Sequence, residues 1–432
     1  MRLLLSQLNR SSRLLPLRPF AVALLALLFC LAGNTTETEP EEGIRELPSP
    51  PSADHSSLFR QLLELPEKLF NQKKEKDLPE LTGSITVLGK TIAPATSARL
   101  SWKPQDTFES IAVPTPVLVM NGAAPGPTLC LTGAVHGDEI NGIEIIRQVF
   151  FSLKPEELSG VVIGVPIVNQ LGFRRSSRYL PDRRDLNRYF PGDPKGSSAS
   201  RIAYSFFNDI IRYCDSLIDL HTGSFHRTNV PQLRADMTND QVSQLVHSFG
   251  GIIVLHHPGG RGTLRRAAVE IGIPSSTLEA GEPMRIQEDV VKDGAERILT
   301  LMANMGMYKN SFFWSDAEPV YLNSRWVRSE QGGLLISNVK VGDKIKHGDL
   351  LGKVVDPIEN REYPIHSPYE GQVIGMALNQ VVMPGYAAYH LGIKATEDSI
   401  ETVPDSARSS DGAPLPSDQP QDRRADLPEF DE

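Results

Sequence analysis

The sequence predicts an α/β fold, a mixed and mainly parallel sheet flanked by helices, followed by a C-terminal all-β module. Two observations predict it. Between residues 80 and 315, short apolar runs alternate with longer stretches at helical spacing, the pattern of strands joined by crossover helices. Beyond residue 315 helical spacing gives way to short apolar segments punctuated by Gly, Asp and Asn.

In order, Pro127-Thr-Leu-Cys-Leu-Thr-Gly133 reads as a strand and Glu139 to Leu153 as a helix. Residues 160–168 read as a strand, Ala199 to Tyr213 as a helix and Ser216 to Leu220 as a strand. Residues 251–255 and 273–278 follow as strands, then a helix from Gln287 to Met305. In open sheets of this kind sites collect beyond the carboxyl ends of strands, so polar motifs directly after strands carry the most weight. In the module spanning 316–396, strands are expected around Trp326, Gly333–Ser337, residues 348–355 and residues 371–376. Asn338-Val-Lys-Val-Gly-Asp343 and residues 366–373 resemble the repeats of lipoyl/biotinyl-type barrel sandwiches. The Met-Lys-Met tip that carries biotin is absent, so a structural or gating role is expected rather than cofactor carriage.

The ends differ in composition from this middle. Residues 1–19 contain Arg2, Arg10, Arg13 and Arg18 and no acid, and Phe20 to Ala32 is continuously apolar. A basic segment before an apolar run of this length predicts a signal peptide or N-terminal anchor over 1–33, hence export to the periplasm or cell envelope with a possible membrane tether. Residues 34–79 read as a linker with a short amphipathic helix over Ser57–Gln72, interrupted by Pro66. Residues 397–432 read as a disordered acidic tail, rich in Pro, Ser and Asp. The net charge is −9 and no basic stripe with interleaved aromatics occurs, which excludes nucleic acid as a partner. Of the three cysteines, Cys130 and Cys214 lie in or beside apolar runs and are expected to be two buried thiols.

Four motifs carry chemistry. His136-Gly-Asp-Glu139 follows the first strand, and His221 follows Asp219-Leu220 at the end of another. Two imidazoles and a carboxylate bind a divalent metal and leave a position open for water, the arrangement of catalytic rather than structural zinc. If the chain turns helical at His136, a spacing of three puts both side chains on one face. Gly137 permits an unusual backbone at the elbow. Taken alone, the pair reads equally as a loop histidine and a capping glutamate. Asp219 either orients the His221 imidazole or caps the turn. Arg178, Asn187 and Arg188 offer guanidinium and amide donors for a carboxylate, in a loop otherwise readable as solvated and basic. Glu279, ending the run Thr277-Leu-Glu279-Ala-Gly281, is a candidate general base, with Glu282 as its neighbouring competitor.

These four motifs, in this order, resemble the succinylglutamate desuccinylase/aspartoacylase family, which is related to the zinc carboxypeptidases. The resemblance spans roughly residues 80–395. It implies a zinc carboxypeptidase-like fold and one zinc ion per chain held by His136, Glu139 and His221. It implies that Glu279 is the base and then the proton donor. Arg178, Asn187 and Arg188 match the positions that bind substrate carboxylate or polarise the scissile carbonyl, and Arg178 is thereby catalytic as well. The expected reaction is hydrolysis of an amide by deacylation of an N-acyl amino acid or related amine, with a small molecule or peptide bearing a carboxylate as substrate. Export, additional arginines at 183 and 184, and the acidic tail depart from the metabolic enzymes of that family. A metallocarboxypeptidase acting on peptides or cell-wall fragments is the alternative. A non-catalytic binding protein would lack a ligand or the base, and here none is missing.

Overall fold

The computed structural model describes residues 83–104, 113–309 and 319–393. The expected leader, linker helix and acidic tail lie outside these residues. Strands β1 (Ile85–Val87) and β2 (Lys90–Ile92) form a hairpin. Eight strands follow: β3 (Thr96–Trp102), β4 (Thr115–Asn121), β5 (Ala124–Gly133), β6 (Ser159–Val165), β7 (Ser216–His221), β8 (Arg227–Ala235), β9 (Ile253–His256) and β10 (Ser275–Gly281). Between and after them run helices α1 (Asn141–Ser152), α2 (Gln170–Phe173), α3 (Ser198–Asp209), α4 (Asp240–His247), α5 (Leu264–Glu270) and α6 (Glu288–Asn304). The centre of the sheet, β6-β5-β7-β10, is parallel, and antiparallel strands β4-β3 and β8 extend it on either side. The mixed, centrally parallel sheet is thus the one the alternation of apolar runs predicts.

Both faces of the sheet are covered, which is why its strands are apolar throughout rather than alternating. Cys130, Ile163 and Leu217 pack on one face against Phe206 and Phe207 of α3 and Leu264 of α5. Leu129, Leu131, Ile218 and Leu278 point to the other face and pack against Ile145 and Val149 of α1, Val242 of α4 and Ile298 of α6. No helix among the described residues is long and apolar enough to cross a membrane.

The C-terminal strands are β11 (Val320–Tyr321), β12 (Asn323–Arg328), β13 (Gly333–Ser337), β14 (Lys344–Ile345), β15 (Leu350–Asp356), β16 (Arg361–His366), β17 (Gly371–Ala377), β18 (Val381–Val382) and β19 (Ala387–Ile393). β16, β15, β13 and β18 make an antiparallel sheet of their own. β17, β19 and β12 instead continue the main sheet, because β17 pairs antiparallel with β8 through Gly375↔Asn229. The all-β segment is therefore hydrogen-bonded to the strand next to β10.

One expectation is corrected. Cys130 and Cys214 are joined in a disulfide across 84 residues. In register, Cys130 of β5 faces Leu217 of β7, and Cys214 lies three residues before Leu217, at the mouth of that strand. Residue type and local hydropathy read the same for a buried thiol and a buried disulfide; only strand register brings the two sulfurs together. Closing a loop of this length restricts the unfolded chain. A Cys130→Ala/Cys214→Ala variant is expected to lose about 2–4 kcal/mol, read as a lower urea midpoint that the unmodified protein reproduces only under reducing conditions.

Candidate active site

β5 ends at Gly133, and the chain turns at Ala134, whose φ is +47°, to present His136. α1 does not begin until Asn141, so His136 and Glu139 share a face through a single turn, closed by Glu139 N–H donating to the His136 carbonyl at 3.2 Å. Gly137 matters for a reason other than backbone freedom. A Cβ there would lie 2.1 Å from the Phe173 amide nitrogen, so only glycine lets the elbow pack against α2. His221 is the last residue of β7, directly beside β5, and Glu279 on β10 is its register partner. Parallel neighbours carry both residues on one face of the sheet.

The three expected ligands converge. His136 Nδ1 lies 2.9 Å from Glu139 Oε1 and 3.1 Å from His221 Nδ1, and His221 Nδ1 lies 2.8 Å from Glu139 Oε2. A tetrahedron with arms of about 2.1 Å has edges of about 3.4 Å, so these spacings are close to those of ligands around one ion. The remaining ring nitrogens face carboxylates: His221 Nε2 is 2.7 Å from Asp219 Oδ2, and His136 Nε2 is 3.1 Å from Asp185 Oδ1. An ionised carboxylate only accepts, so with a cation among the inner atoms each imidazole would keep its proton on Nε2, facing Asp219 or Asp185, and turn the Nδ1 lone pair inward; Arg178 NH1, which can only donate, already meets such a lone pair on His136. Three lone-pair donors, all buried, thus point at one place. The donor set of two nitrogens and a carboxylate fits a divalent metal. Among the described residues, this is the group of His, Cys, Asp and Glu that could hold one.

The surroundings sharpen this arrangement. Thr132 Oγ1 donates to Asp219 Oδ1 at 2.7 Å, which settles the alternatives for Asp219: it orients the imidazole. Burial by itself would raise the Glu139 carboxyl, but His136 and His221 overcome it and hold it well below the usual carboxylate range. Burial opposes a charged Asp185 in the same way, and His136, Arg178 and Arg188 outweigh it and hold Asp185 ionised. Burial would lower His221, and the neighbouring Asp219 and Glu139 raise it above its ordinary value instead.

Arg178 reaches the same cluster, with NH1 2.9 Å from Glu139 Oε1 and 3.1 Å from His136 Nδ1, and NH2 3.1 Å from Asp185 Oδ2. Glu279 is nearly buried and accepts from Asn229 Nδ2 at 3.0 Å, with Arg234 Nε 3.6 Å from its other oxygen. Glu282 pairs with Arg285 at 3.0 Å. Asn187 is buried and its Oδ1 accepts from Leu264 N–H at 2.8 Å, capping the start of α5. Arg188 donates from NH1 to the Asn187 carbonyl at 2.9 Å and interacts with Asp185. Arg184 is bound to exposed Asp182. His256 and His257 each accept a backbone N–H, from Met237 and Gly259, and so serve their loops.

Several site residues escaped the sequence reading. Asp185 stands inside the Asp-Leu-Asn-Arg motif, and its role as partner to His136 depends on a fold that brings residues 49 apart together. Asn229, Gln232 and Arg234 lie on β8, where Pro231 and the polar run Arg227-Thr-Asn229 hide the strand. Arg265 is buried on α5, donates to the His257 carbonyl at 2.7 Å, and is lowered to about 10 by burial and by Arg234, with Glu279 and Asp219 opposing.

Residues 125–305 match the catalytic domain model of the succinylglutamate desuccinylase/aspartoacylase family. Over 266 residues it is 28% identical to N-alpha-acetyl-L-2,4-diaminobutyric acid deacetylase of Halomonas elongata, a match covering 59% of this chain and 78% of the relative. A succinylglutamate desuccinylase structure from a Silicibacter species superposes with a TM-score of 0.61 at 26% identity, covering 69% of this chain and 94% of the other. The product-bound ectoine utilization protein of Ruegeria pomeroyi superposes with a TM-score of 0.62 at 25% identity, covering 69% of this chain and 95% of that one. The His-Glu-His group that could hold a metal ion thus lies within the stretch that matches a deacylase-family catalytic domain.

The symmetry of the two carboxylate–imidazole pairs makes a prediction. His221→Ala should abolish metal binding, and Asp185→Asn should retain the metal but weaken it about 10–100-fold in a chelator competition.

Proposed function

We propose that this deacylase is a zinc enzyme that hydrolyses the amide bond of an N-acylated amino acid or related amine. The observation that carries the reading is the convergence of His136, Glu139 and His221 with Glu279 on the adjoining strand, on one face of the sheet. Zinc held by the three ligands would supply Lewis acidity to the scissile carbonyl and acidity to the attacking water.

The chain's own residues do the rest. Asn229 holds one oxygen of Glu279 and thereby aims the carboxylate, which takes a proton from the water and returns it to the leaving amine. Arg178 stabilises the oxyanion that develops on the carbonyl. Arg188 and Asn187 set the substrate carboxylate in place, with the Asn187 amide fixed by its cap on α5. Arg234 and Arg265 add positive charge beside Glu279 and favour a further anionic group on the substrate.

The Halomonas relative, a deacetylase of an N-acetylated diamino acid, and the ectoine utilization protein place small acylated amino acids first among substrates to try. Export is part of the same proposal. It is supported by the Cys130–Cys214 disulfide, since disulfides persist chiefly in oxidising compartments.

The test is a panel of N-acetyl and N-succinyl amino acids beside short peptides, assayed with the zinc-loaded protein. Release of the acyl acid is the expected outcome; release of a C-terminal residue from peptides would make it a carboxypeptidase. Glu279→Gln is expected to lose turnover by about a thousandfold or more while keeping stoichiometric zinc, and retained turnover would remove Glu279 as the base.

A further inference from the structure

The loop that leaves His221 holds two adjacent residues, Phe225 and His226, at φ of +53° and +57°. Side-chain-bearing residues rarely adopt this conformation, and two in succession persist only where the surroundings hold them. Here the hydrogen bonds to the carbonyls of both residues come from the all-β segment. Leu378 N–H and Gln380 Nε2 donate to the His226 carbonyl at 2.8 and 2.9 Å, and the Tyr386 hydroxyl donates to the Phe225 carbonyl at 3.0 Å. Tyr386 is itself stacked: Arg227 lies 4.5 Å over its ring and 5.2 Å over the Trp326 ring, and Trp326 lies flat on His390 at 4.5 Å. The loop is therefore braced by a ladder that runs from β12 and β19 to β8.

The clamp has a consequence at the metal centre. It presents the half-exposed Phe225 ring with the Arg178 guanidinium 5.4 Å from its centroid, and Tyr179 6.2 Å away on the same ring. Arg178 NH1 otherwise leans on Glu139 Oε1 and His136 Nδ1, the atoms that a metal takes. With a metal among those atoms, Asp185 and the face of Phe225 would remain in contact with Arg178, with the Asp138 charge beside them.

Resting on the role given above to Arg178, we propose that Phe225 is a positioning residue for Arg178, fixed by the all-β segment through the carbonyls of Phe225 and His226. The ring and Asp185 hold the guanidinium where the oxyanion forms. The all-β segment thereby acts on the chemical step without contributing a side chain to it. A cation over an aromatic face at a partly desolvated site is strong enough to matter for rate.

The experiment uses the full chain loaded with zinc. The primary readout is the Arg178 Nε–Hε resonance in a ¹⁵N-arginine spectrum, assigned by its loss in Arg178→Lys. In the unmodified protein this proton is expected upfield, in the ring current of Phe225. Phe225→Leu should move it downfield with zinc content and Tm unchanged, and Phe225→Trp should keep it upfield. Against the best-turned-over N-acyl amino acid of the panel, Phe225→Leu should lower kcat about tenfold with KM changed little, Phe225→Trp should restore most of it, and Tyr386→Phe should fall between. An Arg178 resonance indifferent to Phe225→Leu, or a Trp variant no better than Leu, would overturn the inference. An unchanged kcat in Arg178→Ala would instead remove the role given to Arg178 itself, and the inference with it.

Discussion

Everything at the centre of this molecule depends on holding three lone pairs toward one point. Two imidazole nitrogens and the two oxygens of the Glu139 carboxylate lie within about 3 Å of their nearest partners, and burial removes the water that would otherwise solvate them, so the donors must be held by the protein around them. The fold tolerates this because each imidazole is pinned from behind by a carboxylate, Asp219 through Thr132 and Asp185 through Arg178. Those outer carboxylates choose the tautomer, and the tautomer chooses which nitrogen faces inward.

The sheet supplies the rigidity. Parallel strands β5, β7 and β10 stop at the same edge, so the His136 elbow, His221 and Glu279 emerge side by side without any of them needing a long loop. Packing on both faces leaves these strands no freedom to slip, since a shift of one residue would turn Cys130 and Leu217 out of their layer and break the disulfide. The polar strand β8 is the exception to the apolar rule. It faces Glu279 with Asn229 and Arg234, and it is also the strand on which the all-β segment is seated. Gly375 of β17 sits opposite Asn229, and a Cβ there would lie 2.5 Å from the Asn229 amide oxygen. The segment thus makes room for the side chain that holds Glu279. In the same way it clamps the loop after His221. Catalytic sheet and β segment work as one scaffold around the site.

How much of this was legible in the chain itself depends on how local each feature is. The helices at 141–152, 198–209 and 288–304 fall where apolar residues recur at helical spacing, within a few residues of expectation. The candidate ligands His136, Glu139 and His221, and Glu279 with them, were readable because each lies at, near or just beyond the end of a strand that its own apolar run announces. β8 was not, since a strand that lines a polar site loses the alternation that marks strands, and Pro231 interrupts it further.

The sequence by itself therefore determined the alternation of strands and helices, the family resemblance, the donor types and their positions near strand ends, because hydropathy period and residue chemistry act over a few neighbours. The tertiary structure decided what depends on register and distance. It joined Cys130 to Cys214, set Asp185 behind His136, turned Asn187 into a helix cap, and laid Phe225 against Arg178. Each of these pairs partners that lie from 47 to 84 residues apart, and no local signal in a chain reports which distant residue will meet which.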